Sequence, residues 1–264
     1  MEKALIISIP HSGEKIPPEG EWLKDLPEPI QMCDVDRYVD RLYESVIDEL
    51  KIDSIKAEWH RYVADLNRIP SDVDTDSVVG SENPSGTHTT GLHWVKTTRG
   101  DQLMPSPISK ELHEEIIQKY HRPFHAGVES LFAKKKSAGY EKVFHLDAHS
   151  MPSQGTSAHR DPGETRAEIV ISDVDGVSCE PAYRDLVVSC YEEAGFQVKL
   201  NWPYKGGRVT QTYGHPSKGQ HSIQVEINRA LYMNEETKQI AEPQFAETKA
   251  KIEKAVRRLW DQIE

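Results

Sequence analysis

The 264-residue sequence predicts an α/β fold, with a mixed, mostly parallel central sheet flanked by helices. Three observations carry that reading. Short apolar runs bounded by turn-forming residues alternate along the chain with helical patterns of 3.6-residue period. The strongest strand candidates are continuous apolar segments rather than alternating ones, as expected where both faces of a sheet are covered. No internal repeat or linker breaks the succession, so residues 1–264 read as one domain.

The elements follow in order. Ala4 to Pro10 is a continuous apolar run that ends in Pro-His-Ser-Gly, a buried strand entering a tight turn. Asp36 to Leu50 places Val39, Leu42, Tyr43, Val46, Ile47 and Leu50 at helical spacing. Ser54 to Trp59 and Arg61 to Leu66 read as strands, or as one broken strand. From Ile69 to about Ile108 the chain is mostly Ser, Thr, Asp, Gly and Pro, and only Val78-Val79 and Leu92 to Val95 look strand-like. Irregular chain of that length usually forms a lid or binding loop. Ser109 to about Lys136 reads as a helix bent by Pro123. Lys142 to His149 is a second buried strand, and Ser150 to Arg166 a second polar loop. Strand Glu168 to Ser172, helix Glu180 to Ala194 capped by Gly195, strand Phe196 to Leu200, a glycine-rich stretch, strand Ser222 to Asn228 and a helix from about Pro243 complete the chain.

Composition restricts the function. With 37% hydrophobic and 28% charged residues the chain falls in the soluble globular range. A net charge of −11 gives counterion release the wrong sign for nucleic acid or an anionic membrane as partner. The apolar N-terminal run is too short for a signal-peptide core, and no stretch approaches a membrane span. Three cysteines, odd in number and without CxxC spacing, suit a reduced cytoplasmic protein. Nothing in the sequence specifies an oligomeric state. Twelve histidines are roughly double ordinary usage, and imidazole is the commonest metal ligand.

Candidate chemistry gathers at strand ends, where open α/β sheets bind ligands. His11 follows the first strand, and Glu14 three residues on could share a metal with it. His149 leaves a second buried strand. Alternation puts Asp147 on the same side, where it could orient His149. Asp36 projects onto the apolar face of its helix and needs a partner there, either a metal or an arginine. Asn67-Arg68 suits a carboxylate, because the guanidinium fork takes two oxygens and the amide donates again. Glu226, in an apolar strand, could be a general base whose pKa burial raises. Lys205-Gly206-Gly207-Arg208 reads as an anion or substrate loop. His121 and His125 are one helical turn apart, with Pro123 between them. Asp72, Asp74 and Asp76 resemble the start of a calcium loop, but Ser77 and Asn83 stand where Gly and Glu are required.

Six ordered motifs, spanning about residues 8 to 233, carry a family resemblance. They are Pro10-His11-Ser12-Gly13, Asp36-x-Tyr38-Val39-Asp40-x-Leu42-Tyr43, Arg61-Tyr62-Val63-x-Asp65-Leu66-Asn67-Arg68, Asp147-x-His149-Ser150-Met151-Pro152, Pro203-Tyr204-x-Gly206-Gly207 and Glu226-x-Asn228-Arg229-x-Leu231-Tyr232. Together they resemble the N-formylglutamate amidohydrolase (N-formylglutamate deformylase) family. Asp-Leu-Asn-Arg and Asp-x-His are also similar to aspartoacylase and succinylglutamate desuccinylase, relatives within the zinc carboxypeptidase-like (phosphorylase/hydrolase-like) fold.

The resemblance implies one zinc ion, with other divalent metals as alternatives, held by His11, His149 and a third ligand. Carboxypeptidases use the Glu of His-x-x-Glu, here Glu14, whereas the deformylase family carries the equivalent of Asp36; both stand, with Asp36 slightly favoured. It further implies Glu226 as general base and Asn67 with Arg68 on a substrate carboxylate. The oxyanion falls to Arg61, Arg160 or Arg166, and a second carboxylate to Lys205, Arg208 or Arg229, with His221, His121 and His125 as further pocket candidates. Arg208 and His215 stand where the family leads us to expect an aromatic residue and an arginine. The expected substrate is a small acidic N-acyl amino acid, N-formyl-L-glutamate if the family's reaction holds, and the family name points to histidine catabolism. The competing expectations are a metallo-amidohydrolase or peptidase for another N-acyl amino acid, and a non-catalytic binding protein on the same fold.

Overall fold

The computed structural model describes residues 2–81 and 90–263; Asn83 of the rejected calcium-loop pattern lies outside them. Its frame is a six-stranded sheet of β1 (Leu5–Ile9), β2 (Asp53–Lys56), β3 (Val143–Met151), β4 (Ile169–Ser172), β5 (Val198–Leu200) and β6 (Gln220–Asn228). The spatial order is β2-β1-β3-β6-β4-β5. The first four strands in that order run parallel, β4 is antiparallel to β6, and β5 is parallel to β4. The sheet is therefore mixed and mostly parallel, as the alternation of strand and helix predicts, because parallel neighbours need crossover connections.

Helices α1 (Val39–Leu50), α4 (Pro181–Glu193) and α6 (Gln244–Gln262) cover one face, while α2 (Lys110–Ile116), α3 (Arg122–Ser137) and α5 (Arg208–Tyr213) lie elsewhere. The covered face is fully apolar: Leu5 and Ile7 of β1, Leu146 and Ala148 of β3, and Ile223, Val225 and Ile227 of β6 pack against Leu42, Val187 and Val256. Since successive strand residues alternate sides, Ser8, His145, Asp147, His149, Ser222, Gln224 and Glu226 share the opposite face. There α3 and α5 pack through Phe124, Val128, Phe132, Val209 and Tyr213. One apolar face and one polar face on the same central strands concentrate the ionisable side chains on a single side of the sheet. A third cluster, including Tyr62, Leu92, Trp94, Leu103 and Ile116, gives the irregular 69–108 region a core of its own.

Three local expectations are corrected. Residues 61–66 form turns rather than a strand. The chain bonds to itself there, with Val63 N–H on His60 O, Asn67 N–H on Asp65 Oδ1 and the Arg61 guanidinium on Asp65. The first helix starts at Val39, not Asp36, because Tyr38 takes the left-handed conformation (φ 69°) and breaks the helical path. Pro123 stands in the first turn of Arg122–Ser137. It follows a π-helical turn, Ile117–His121, in which Arg122 N–H bonds Ile117 O, so the wider turn accommodates a residue without a backbone donor. Residues 92–95 make only isolated bridges.

Candidate metal centre and active site

Parallel strand ends and two turns build the site. His11 lies just past β1, where Asp36 N–H donates to its carbonyl oxygen (3.0 Å) and ties the Asp36 turn to the end of that strand. The break at Tyr38 then leaves Asp36 before the helix with its side chain turned inward, and the Tyr38 hydroxyl donates to Lys238 O (3.2 Å), fixing the break. His149 is near the end of β3, and register pairs it with Glu226 on β6.

Asp36 Oδ2 lies 3.5 Å from His11 Nδ1 and 3.0 Å from His149 Nδ1, and the three residues offer ligand atoms that all fall within 4.8 Å of one another. Metal bonds of 2.0–2.2 Å in tetrahedral geometry place ligand atoms about 3.3–3.6 Å apart. The two separations from Asp36 are close to that scale, and two imidazoles with a carboxylate form a donor set suited to zinc. The fit extends outward. His11 Nε2 bonds Asp65 Oδ1 (2.7 Å), which turns the Nδ1 of that ring to the cluster, while His149 Nε2 lies 3.1 Å from Asp147 Oδ2 without the alignment of a hydrogen bond. Asp147 is itself held by Ser8 (2.7 Å) and Thr210 (3.2 Å).

Burial pushes the Asp36 carboxyl up, but hydrogen bonds and charge from His11 and His149 outweigh it and hold the group well below the usual carboxylate range. Burial pushes the His149 imidazole down, and Asp147 with Asp36 outweighs that and raises it well above its ordinary value. Arg229 Nη2 lies 3.0 Å from Asp36 Oδ1 and also donates to the carbonyl of Asp34, while Nη1 donates to Cys33 O. Arg61 holds Asp65 through Nε and Nη2, donates to Asp34 O, and lies over the Trp94 ring.

Glu226 is buried and lines the cavity beside these groups. Burial, aided by the nearby Asp36 charge, pushes its carboxyl up to about 7 against the opposing charges of His149, Arg229 and Arg61. Gln224 Nε2 donates to its Oε1 (2.8 Å), and Gln224 Oε1 accepts from Gly207 N–H (2.6 Å). The glutamate is thereby connected to the glycine loop ahead of α5. A Cβ at Gly207 would stand 2.0 Å from Asn67 Nδ2, so glycine here leaves the Asn67 amide its room. Asn67 Oδ1 accepts from Val209 N–H, leaving its amide donors available.

The cavity, about 580 Å³, brings together His11, Asp36, His149, Glu226, Arg61, Asn67, Arg68, Lys205, Gly206, Gly207 and Arg229. Several expected residues stay apart. Glu14 is turned away and doubly bonded by Arg37 (2.9 and 3.2 Å). Arg208 is exposed and directed at Asp72, because the helix it opens faces it outward. His221 lies at the opposite end of β6 from Glu226, stacked on Phe144. His121 and His125 bond Arg68 O and Leu66 O, so they brace the Asn67–Arg68 turn and do not form a metal pair. Arg166 is clamped on Asp161. Lys205 is already paired with Asp175 (2.6 Å), and Arg229 with Asp36. Asp65, Gln224 and His159 are functional candidates that sequence reasoning missed. Asp65 sits inside a quoted motif, but nothing in spacing alone shows that it reaches His11 across 54 residues.

Comparison with known proteins shows the family and the fold. The family model described as N-formylglutamate amidohydrolase matches residues 3–233. The chain is 30% identical over 237 residues to an N-formylglutamate deformylase of Pseudomonas putida, covering 88% of this chain and 82% of that protein. A Pseudomonas aeruginosa N-formylglutamate deformylase is also 30% identical, over 88% of this chain and 83% of its own length. The crystal structure of N-formylglutamate amidohydrolase from Ralstonia eutropha JMP134 superposes with a TM-score of 0.84 at 26% identity, covering 98% and 93% of the two chains.

Proposed function

We propose, from the premise that this chain belongs to the N-formylglutamate amidohydrolase family, that it hydrolyses N-formyl-L-glutamate to formate and L-glutamate with one zinc ion on His11, Asp36 and His149. The observation that carries the reading is the neighbouring register of His149 and Glu226, which sets a buried carboxyl of raised pKa beside a His-Asp-His cluster.

Zinc held there would polarise the acyl carbonyl and lower the pKa of a water molecule. Glu226, with Oε1 occupied by Gln224, accepts the proton of the attacking water on Oε2 and returns it to the leaving amine nitrogen as the formyl C–N bond breaks. Arg61, whose Nη1 lies 3.8 Å from Asp36, supplies positive charge for the developing oxyanion. Asn67 turns its amide donors to one substrate carboxylate. Arg68, with Nε on Thr90 O and Nη1 on Asn67 O, keeps Nη2 for the same group. Three buried free cysteines support a reducing, cytoplasmic setting, and no described helix is long and apolar enough to cross a membrane.

The test is glutamate release from N-formylglutamate by protein of measured zinc content, before and after chelation and after zinc is restored. Release that tracks stoichiometric zinc is expected. Release that survives complete chelation would remove the metal from the reading, and no release from zinc-loaded protein would remove the substrate.

A further inference from the structure

We propose that Arg160, at the tip of the 152–166 loop, binds the side-chain carboxylate of the substrate and sets the preference for acidic acyl amino acids. The inference rests on the reading above that the substrate is a small N-acyl dicarboxylate.

The charges of the cavity single it out. Among the described residues five lysines and arginines line it. Arg61 is paired with Asp65, Arg229 with Asp36, and Lys205 with Asp175. Arg68 bonds only carbonyl oxygens, and Arg160 has no ion pair or hydrogen bond to any described residue, so these two guanidinium charges remain without a carboxylate. A dianionic substrate brings two carboxylates into a protein of net charge −11, and two uncompensated arginines match them. Arg68 belongs to the Asn67 turn. Arg160 approaches on a different segment.

That segment is held in place. Asp161 takes a two-pronged bond from Arg166 (2.7 and 2.8 Å), and Arg166 also donates to Tyr204 Oη and Pro152 O. Ser153 N–H donates to Glu235, and Thr156 Oγ1 to Thr98 O. Gly155 packs so close to Asp161 that a Cβ would stand 1.9 Å from its carbonyl oxygen. The neighbouring His159, which also lines the cavity, is held through Nδ1 by the Thr156 N–H (3.0 Å) and hydroxyl (2.8 Å). Burial and the Arg166 charge lower its pKa and keep the ring neutral near pH 7. The loop tip thus offers a guanidinium, suited to a carboxylate, beside a neutral imidazole.

Steady-state kinetics of the zinc-loaded protein with N-formylglutamate and with N-formylglutamine, a neutral near-isostere, provide the test. In Arg160→Ala the ratio of kcat/KM for the two substrates should fall about 10- to 100-fold, mainly through KM for N-formylglutamate, with partial recovery in Arg160→Lys. An unchanged ratio, or an equal loss of kcat on both substrates, overturns the assignment. Calorimetric binding of glutarate and of its monoamide to wild type and Arg160→Ala separates this inference from the proposed reaction. If wild type hydrolyses neither formyl compound, the reaction reading fails. The Arg160 inference then stands if wild type prefers glutarate and the variant does not, and falls on any other result.

Discussion

His11 Nε2 lies 2.7 Å from Asp65 Oδ1, with both groups buried, so the ring presents Nδ1 to the cluster of Asp36 and His149. Burial raises the Asp65 carboxyl, but Arg61, His11 and Arg68 hold it well below the usual carboxylate range, so it is an anion that fixes the His11 tautomer. Asp65→Asn replaces that anion with a neutral amide. Zinc affinity, measured by competition with a chromophoric chelator, should drop about 10- to 100-fold. Undiminished affinity would show that Asp65 serves only the Arg61 turn.

Glu226→Gln keeps the size and the contact with Gln224 but cannot accept a proton. We expect kcat on N-formylglutamate to fall about 10²- to 10⁴-fold with zinc content unchanged. Elemental analysis alongside turnover separates a lost base from a lost metal. Full turnover in this variant would remove Glu226 from the mechanism.

Gly207→Ala introduces a Cβ 2.0 Å from Asn67 Nδ2 and 2.4 Å from its Oδ1. Asn67 must shift, giving up its bond from Val209 N–H. The expected outcome is a several-fold rise in KM with a smaller change in kcat, and destabilisation of about 1–3 kcal/mol in urea titrations. A changed kcat with unchanged KM would place Asn67 at the reacting bond instead of at a substrate carboxylate.

The metal-free protein should carry a pH signature. The Glu226 carboxyl sits at about 7 in the fold and at an ordinary 4.5 when the chain is unfolded. Its contribution is therefore fully present below pH 4.5 and is lost as the pH rises to about 7, because only the unfolded chain ionises in that window. Each pH unit costs about 1.4 kcal/mol from this group. His149, also raised, acts in the same direction at higher pH. Urea unfolding with chelator at pH 5, 6 and 7 should show a steeper loss in wild type than in Glu226→Gln. Equal slopes would mean that Glu226 is not shifted upward.

Much of this was legible in the residues. Apolar runs located β1, β3 and β6, and alternation on Asp147 and His149 put both on one side. What periodicity could not show was long-range pairing. The sequence around Asp36 reads as helical because nothing local marks Tyr38 for a positive φ. Arg208 reads from the sequence as a ligand-facing cation because a glycine-rich stretch does not disclose where the next helix points. The histidine excess points to metal, yet among the described residues only His11 and His149 join the cluster. His60 and His93 bond the carbonyl oxygens of Gln31 and Val63, and burial pushes both rings down to about 4. Arg160 was legible as a cation, but its lack of a partner emerged only once the other cations of the cavity had found theirs.

The ligand cluster joins a turn after β1 to the end of β3, and its flanking groups reach β6, more than two hundred residues after His11. Such contacts close only after β1, β3 and β6 have paired, so they form late on the folding route. A metal ion bound at that cluster would therefore act on the finished protein and not on its nucleation. It should leave the refolding rate almost unchanged and slow unfolding, lengthening the lifetime of the native state.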